Sequence, residues 1–405
     1  MYFWLGLSVF AALMVGCGGL DESRVVRVWH MKAQSERALL EEIVREYNAL
    51  HKDRRVVVLN KPVEELRNHF LAAAVAGVGP DLVYVASDNV GVFELTGVIM
   101  PLDEVLGADF FEEFHEKGKV SWKGRQWMVA DKVGDHLMLI YNRDLISEPP
   151  RDFDEFVKVL KEVTRDGEEM GQKRYGITWN YQEPFFFIPF LTAFGGWLMD
   201  ESGRPTLDTP QMVEALRFVS ELRNVHRVVP PETDYQISDA LFKEGRAAMI
   251  INGPWSWADY QVPKRSMIAP LPYNSEKGFW AEPLVSACGY CVNVNVKREK
   301  LPLVLEVLKY LTSEETQRRM VERLLSFPTR LSVIESGLVQ GNPILQKSWE
   351  QILRGRPMPI APVLRQIWDG MRGAYQLIMA GKLSPEEGAR RMQADTEKLI
   401  RDSQM

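Results

Sequence analysis

Between Val25 and Val85 the hydrophobic pattern switches repeatedly between two periods, and this alternation restricts the possible folds more than any other feature of the chain. Val25-Val-Arg-Val-Trp29 has the β-branched, apolar character of a strand. Leu39, Leu40, Ile43, Val44 and Tyr47 then recur at helical spacing, with Ser35 placed to cap the helix they imply. Residues 55–59 read as a second strand, 64–76 as a second helix stopped by Gly77, Gly79 and Pro80, and 82–85 as a third strand. Such a run implies a mostly parallel sheet with right-handed crossovers. Ligands of these sheets sit beyond the carboxyl ends of the strands. The loops after Trp29 and Val85 are therefore the expected walls of a site.

At 405 residues the chain is too long for one ordinary core and suits two lobes. No internal repeat or low-complexity linker separates them, so several chain crossings are expected. A net charge of −6 with no basic excess argues against nucleic acid as a partner. The 11 Trp, 18 Phe and 12 Tyr offer flat faces of the kind that stack on pyranose rings, although most rings in any protein are core.

The amino terminus stands apart. Residues 1–16 carry no charge, and the nearly unbroken apolar run ends in Met14-Val-Gly-Cys17 before Gly18 and Gly19. A membrane span needs about 20 residues, so this shorter run reads as a signal peptide over 1–16. Cys17 after a small residue is similar to the bacterial lipoprotein signal, which implies a lipidated tether over 17–24. The pattern departs from that signal in having no Lys or Arg near the start. The remaining cysteines, in Cys288-Gly-Tyr-Cys291, lie in a strand-like stretch that aims them to opposite faces, so they read as buried thiols rather than a redox pair or zinc half-site.

Further along, residues 208–222 and 303–311 read as helices. Residues 247–251 form a short buried strand ending in Asn252-Gly-Pro254, and Ser313-Glu-Glu315 opens another helix. The last helix starts with Ser384 as cap, Pro385 in the first turn, then Glu386 and Glu387. Six scattered His form no zinc constellation, and no phosphate-binding loop, dinucleotide fingerprint or serine nucleophile elbow is present. No cofactor or metal is expected.

Several stretches resemble the maltose-binding protein family of solute-binding proteins. The longest is Leu241-Phe-Lys-Glu-Gly-Arg-Ala-Ala-Met-Ile-Ile-Asn-Gly-Pro-Trp-Ser-Trp257. Gly79-Pro-Asp-Leu82 followed by Asp88, Leu139-Ile-Tyr-Asn-Arg-Asp-Leu145 and Asn180-Tyr-Gln-Glu-Pro-Phe185 match in the same order. The resemblance runs from about Val25 to Ile400. It implies an α/β periplasmic-binding fold of two lobes, each a mainly parallel sheet flanked by helices, joined by three hinge crossings and closing by hinge bending. The expected division is 25–133 and 290–325 in the first lobe, 134–289 and 326–405 in the second. It further implies a monomeric, extracytoplasmic, lipid-anchored receptor that hands a sugar to the transmembrane subunits of an ABC permease, without catalysis.

Sugar sites combine aromatic faces with buried groups that take paired hydrogen bonds from hydroxyls. Trp255, Trp368 and Phe185 match the family's stacking positions. Trp255 also follows a turn at the end of a buried strand, whereas Trp368 has helical spacing that fits core packing equally. Asp88, Asp135 and Glu183 match acids that bind hydroxyls. Lys32 and Arg372 are weaker candidates, because a long basic side chain is usually solvated. Two departures stand out. Val85 and Asn89 occupy places where the family often shows Trp and Arg, and Asp135 replaces a usual Glu. These leave open a different disaccharide, a longer glycan or a glycerol phosphate-like ligand. Two other functions remain in view: a surface glycoside hydrolase using paired carboxylates such as Asp135 and Glu183, and an adhesion or structural lipoprotein with a decayed cleft.

Overall fold

The computed structural model describes residues 21–167 and 173–403. The expected signal peptide over 1–16 and the lipidated Cys17 lie outside the described residues. Among those residues no helix is long and apolar enough to cross a membrane.

The opening alternation folds as its periods dictate. Strand β1 (Val25–His30) is followed by helix α1 (Gln34–Leu50), β2 (Arg55–Asn60), helix α2 (Val63–Val75) and β3 (Leu82–Ala86). Helix α1 buries Leu39, Leu40, Ile43, Val44 and Tyr47, the five positions that define its period. Its start differs from expectation. Ala33 is the capping position and Ser35 lies inside the first turn, where its hydroxyl donates to Asp259 instead. Helix α2 stops where Gly77 adopts φ 76°, a left-handed conformation that costs glycine little.

Strands β1, β2 and β3 pair in parallel with β1 in the middle. The chain continues through β4 (Lys119–Trp122), β5 (Arg125–Gly134) and β6 (Met138–Asn142), then β7 (Tyr175–Thr178), β8 (Ala247–Asn252) and β9 (Ser266–Ala269). A hairpin of β10 (Tyr273–Asn274) and β11 (Phe279–Trp280) leads into β12 (Leu284–Val292), with β13 (Phe327–Pro328) and β14 (Arg356–Pro357) after it. The larger sheet has the order β13-β5-β12-β3-β1-β2, with β4 added to β5 and β14 to β12. The smaller has the order β7-β8-β6-β9. In it only β7 and β8 run parallel, because β6 enters from the hinge and runs against both neighbours.

The chain passes between the sheets three times: from β5 to β6, from the hairpin into β12, and after β13. Of the expected breaks at 133/134, 289/290 and 325/326, the first lies at the end of β5, whereas the second falls inside β12 and the third precedes β13, both strands of the larger sheet. Two details refine it. Strand β12 already pairs with β5 at Ser286, and Phe327, Val333, Val339 and Leu345 pack with Val133 and Val285 at the hinge. Cys291 packs with Leu66 and Phe70 while Cys288 packs with Leu39 and Val304, so the two free, buried thiols do face opposite sides of the sheet.

Candidate functional site

A cleft of about 620 Å³ opens beyond the carboxyl ends of β1 and β3 and is walled on its other side by the second lobe. The loops after these strands supply Lys32, Asp88 and Asn89. All of the candidate residues named above, from Lys32 to Arg372, line this one cleft. Their surroundings differ, and so does what each has left to offer a ligand.

Lys32 is committed. Its side chain is 4% exposed, and the ammonium lies 2.9 Å from Asp131 and 3.6 Å from the centre of the Tyr84 ring. The Tyr84 hydroxyl donates to the other Asp131 oxygen at 2.8 Å. Beside this triad a second pair, Lys132 with Glu36, is equally buried, at 5% exposure for each side chain. Burial opposes the charge on Lys132, but the Glu36 carboxylate outweighs it and holds the amine above the usual lysine range. For Glu36 burial is likewise overcome, here by Lys132 and Lys32, and its carboxyl lies below its ordinary value. Satisfied pairs of this kind stiffen the wall they occupy.

Asp88 and Asn89 form a one-turn 3-10 helix with Ser87, and all three are buried. The Asn89 amide donates to the Ala86 carbonyl at 3.1 Å and to Asp88 at 2.9 Å, which orients the carboxylate. Asp135 occupies the first hinge crossing with φ 59°, a region that Asp tolerates better than most residues. It accepts hydrogen bonds from the Ser286 hydroxyl and, at 3.5 Å, from the Cys288 thiol. Burial pushes its carboxyl above the ordinary aspartate value, against the pull of Lys132 and Ser286.

The second lobe contributes the rings. Phe185 is half-buried in the turn Pro184–Phe187, whereas Phe186 and Phe187 point into the core. Trp255 follows β8 in the turn Pro254–Ser256. Its indole N–H donates to the Tyr235 hydroxyl at 3.0 Å, and its ring lies 6.5 Å from that of Phe185. Burial pushes the Tyr235 phenol up to about 12, so it stays protonated as a neutral partner. The backbone of Gly253 passes directly beneath the indole: a Cβ there would meet the ring at 2.0 Å. Trp368 is only 6% exposed and packs with Leu364 and Met371, so little of its ring is left for a ligand. Arg372 grips Glu183 through two nitrogens, at 3.1 and 3.0 Å, and binds Asp369 at 2.7 Å.

Glu36, Lys132, Tyr235 and Arg365 also line the cleft and were not among the sequence candidates. Arg365 carried a signal: it precedes Trp368 by three positions and Arg372 by seven, on one face of the helix Val363–Met379. It crosses the cleft to pair with Asp88, supplying a cation beside the place where the sequence has Asn89. Tyr235 and the Glu36–Lys132 pair had none, since only the fold brings β5 and helix α1 together. Among the described residues no group of three or more His, Cys, Asp or Glu could hold a metal ion.

The sequence matches the bacterial extracellular solute-binding protein family over residues 42–347. It is 28% identical over 362 residues to a maltotriose-binding protein of Pyrococcus abyssi, covering 87% of this chain and 77% of that one. The fold superposes with a TM-score of 0.90 on a maltose/maltodextrin-binding domain from Bdellovibrio bacteriovorus bound to maltotriose, at 39% identity over 93% of this chain and 100% of the other. A Thermus thermophilus maltotriose-binding protein gives a TM-score of 0.83 at 25% identity over 93% and 100% of the two chains.

Proposed function

The chain belongs to the bacterial extracellular solute-binding proteins, and on that premise we propose that it captures a neutral maltodextrin, such as maltotriose, outside the cytoplasm for an ABC permease. The observation that carries the choice of ligand is the make-up of the cleft. Phe185 and Trp255 present rings on one side, while buried acids and amides stand on the other. Its volume falls within the roughly 300–1,000 Å³ of small-molecule sites. Each deep cation already has an acid: Lys32 with Asp131, Lys132 with Glu36, Arg365 with Asp88, and Arg372 with Glu183. In the buried part of the cleft an ionised phosphate would meet no uncompensated positive charge, the other lining cations, Lys61 and Arg67, being less buried, so a neutral polyhydroxylated ligand is favoured over a sugar phosphate or glycerol phosphate.

The same pairing speaks against hydrolysis. Glu183 accepts from Arg372 with both oxygens, and Asp135 is tied to Ser286 and Cys288. Both carboxylates line the cleft but are already held by hydrogen-bond donors, unlike a proton donor or water-activating base left available for the reaction. Non-catalytic capture, a lipid anchor at Cys17 and a monomeric state complete the reading.

A thermal-shift screen against maltose, maltotriose, other oligosaccharides and sugar phosphates tests it. A ligand at a hundredfold excess over its Kd adds about 2.7 kcal/mol of stability. Maltotriose should raise the melting temperature and be recovered intact. A shift with sugar phosphates alone, or cleavage of the sugar, would overturn the proposal.

A further inference from the structure

Two lobes that close on a ligand need contacts that exist only when they meet. Such contacts lie on one rim of this cleft, between the segment 88–91 of the first lobe and 360–365 of the second. The Arg365 guanidinium donates to Asp88 and, at 3.3 Å, to Asn89. The pair is well shielded, with side-chain exposures of 20% and 6%. Five residues before it, ahead of the helix, Ile360 packs against the first lobe's cluster around Val90 and Phe93. Its carbonyl oxygen lies where a Cβ on Gly91 would sit, 2.0 Å away. Glycine at position 91 is what allows the two backbones to approach this closely. Helix Val363–Met379 is itself anchored in the second lobe through Leu364 and Ile367.

The Arg365 Nε is buried and has no hydrogen-bond partner. That atom is shut off from the cleft, but the Arg365 side chain as a whole lines it together with Asp88 and Asn89.

We propose that Arg365 is a closure-coupled recognition residue: with Asp88 and Asn89 it assembles, across the cleft, a polar subsite that exists only in the closed protein and that meets a hydroxyl or ether oxygen of the bound saccharide. This rests on the sugar-binding reading above for its ligand, though not for the latch itself. Ligand affinity and lobe closure thereby share one group, because a conformational equilibrium shifts only as far as the ligand distinguishes the two states.

The test uses the purified protein with Arg365→Met, Asp88→Asn, the double variant and Gly91→Ala. Maltotriose affinity is read by calorimetry and lobe separation by small-angle scattering, with and without sugar. Arg365→Met and Asp88→Asn should each weaken maltotriose about tenfold or more, the scale of truncating one partner of a shielded pair. The double variant should lose much less than the product of the two, since the residues act as a unit. Gly91→Ala leaves the ion pair chemically intact but obstructs the approach, and should also weaken binding and enlarge the sugar-saturated particle. A merely structural role for Arg365 would lower thermal stability and leave the ligand-saturated particle unchanged in size. Independent, multiplicative losses in the double variant, or wild-type affinity in Arg365→Met, would overturn the proposal. If the wild type binds no maltotriose, the sugar reading fails, while the latch is still judged by lobe closure. It is then read with whichever ligand of the thermal-shift panel closes the wild type: a more open Arg365→Met under that ligand supports it, and an unchanged lobe separation overturns it.

Discussion

Replacing Trp255 by Ala should weaken maltotriose binding by roughly 70-fold. The figure follows from the ring's setting. Trp255 is half-buried, held by its bond to Tyr235 and seated on Gly253, so one indole face is available to the cleft. One face is about half of the roughly 200 Å² that an indole buries. At about 25 cal/mol per Å², covering ~100 Å² contributes about 2.5 kcal/mol, which is the roughly 70-fold stated. Trp255→Phe keeps an aromatic face but loses the donor to Tyr235, and should cost about 1 kcal/mol, near fivefold. Titration calorimetry on both variants reads these differences, and a parallel thermal melt separates them from damage to the fold. A Trp255→Ala protein that melts normally and binds maltotriose within twofold of wild type would falsify the stacking role and, with it, the assignment of this wall to the sugar.

Other expectations follow from the same geometry. Gly253→Ala, whose new methyl would collide with the indole, should displace Trp255 and reduce affinity in the direction of Trp255→Ala, as calorimetry would show. Glu36→Gln leaves the Lys132 ammonium buried without its acid and should cost about 3–5 kcal/mol in urea unfolding, whereas the joint Glu36→Leu, Lys132→Met change should recover most of that loss. His136 is fully buried, and burial lowers its pKa from 6.5 to about 3. The neutral ring is therefore favoured in the fold, so its contribution is present above about pH 6.5 and lost as pH falls towards 3. Unfolding free energy should drop by about 1.4 kcal/mol per pH unit on this account, more shallowly in His136→Gln.

The parts of this molecule that depend on local pattern could be read in advance. The period of helix α1 named its buried face residue by residue, and Ser384 and Pro385 marked the start of the last helix, where the Ser384 hydroxyl accepts from Glu387 at 3.3 Å. The strand period also separated the faces of Cys288 and Cys291. Ser35 misled because the helix begins one residue before it, with Ala33 at the capping position, and its hydroxyl is left to reach Asp259 of the other lobe. The cleft was legible in its walls but less so in its commitments. Nothing in the sequence says that Lys32 is spent on Asp131 or that Arg365 reaches Asp88, since both pairings join residues far apart in the chain. Trp368 shows the converse: its helical spacing signalled packing as strongly as contact, and the structure gives most of the ring to the core.

The left-handed backbone at Asp135 limits how this protein can change its ligand. A residue held there at φ 59° is drawn from a short repertoire, with Gly, Asn and Asp at its head and β-branched residues near its foot. The carboxylate that faces the cleft is thus chosen jointly by the saccharide and by the bend of the chain. Lineages exploring new sugars would be free to vary Phe185 or Trp255, but at position 135 they would have to alter the hinge before they could alter the contact.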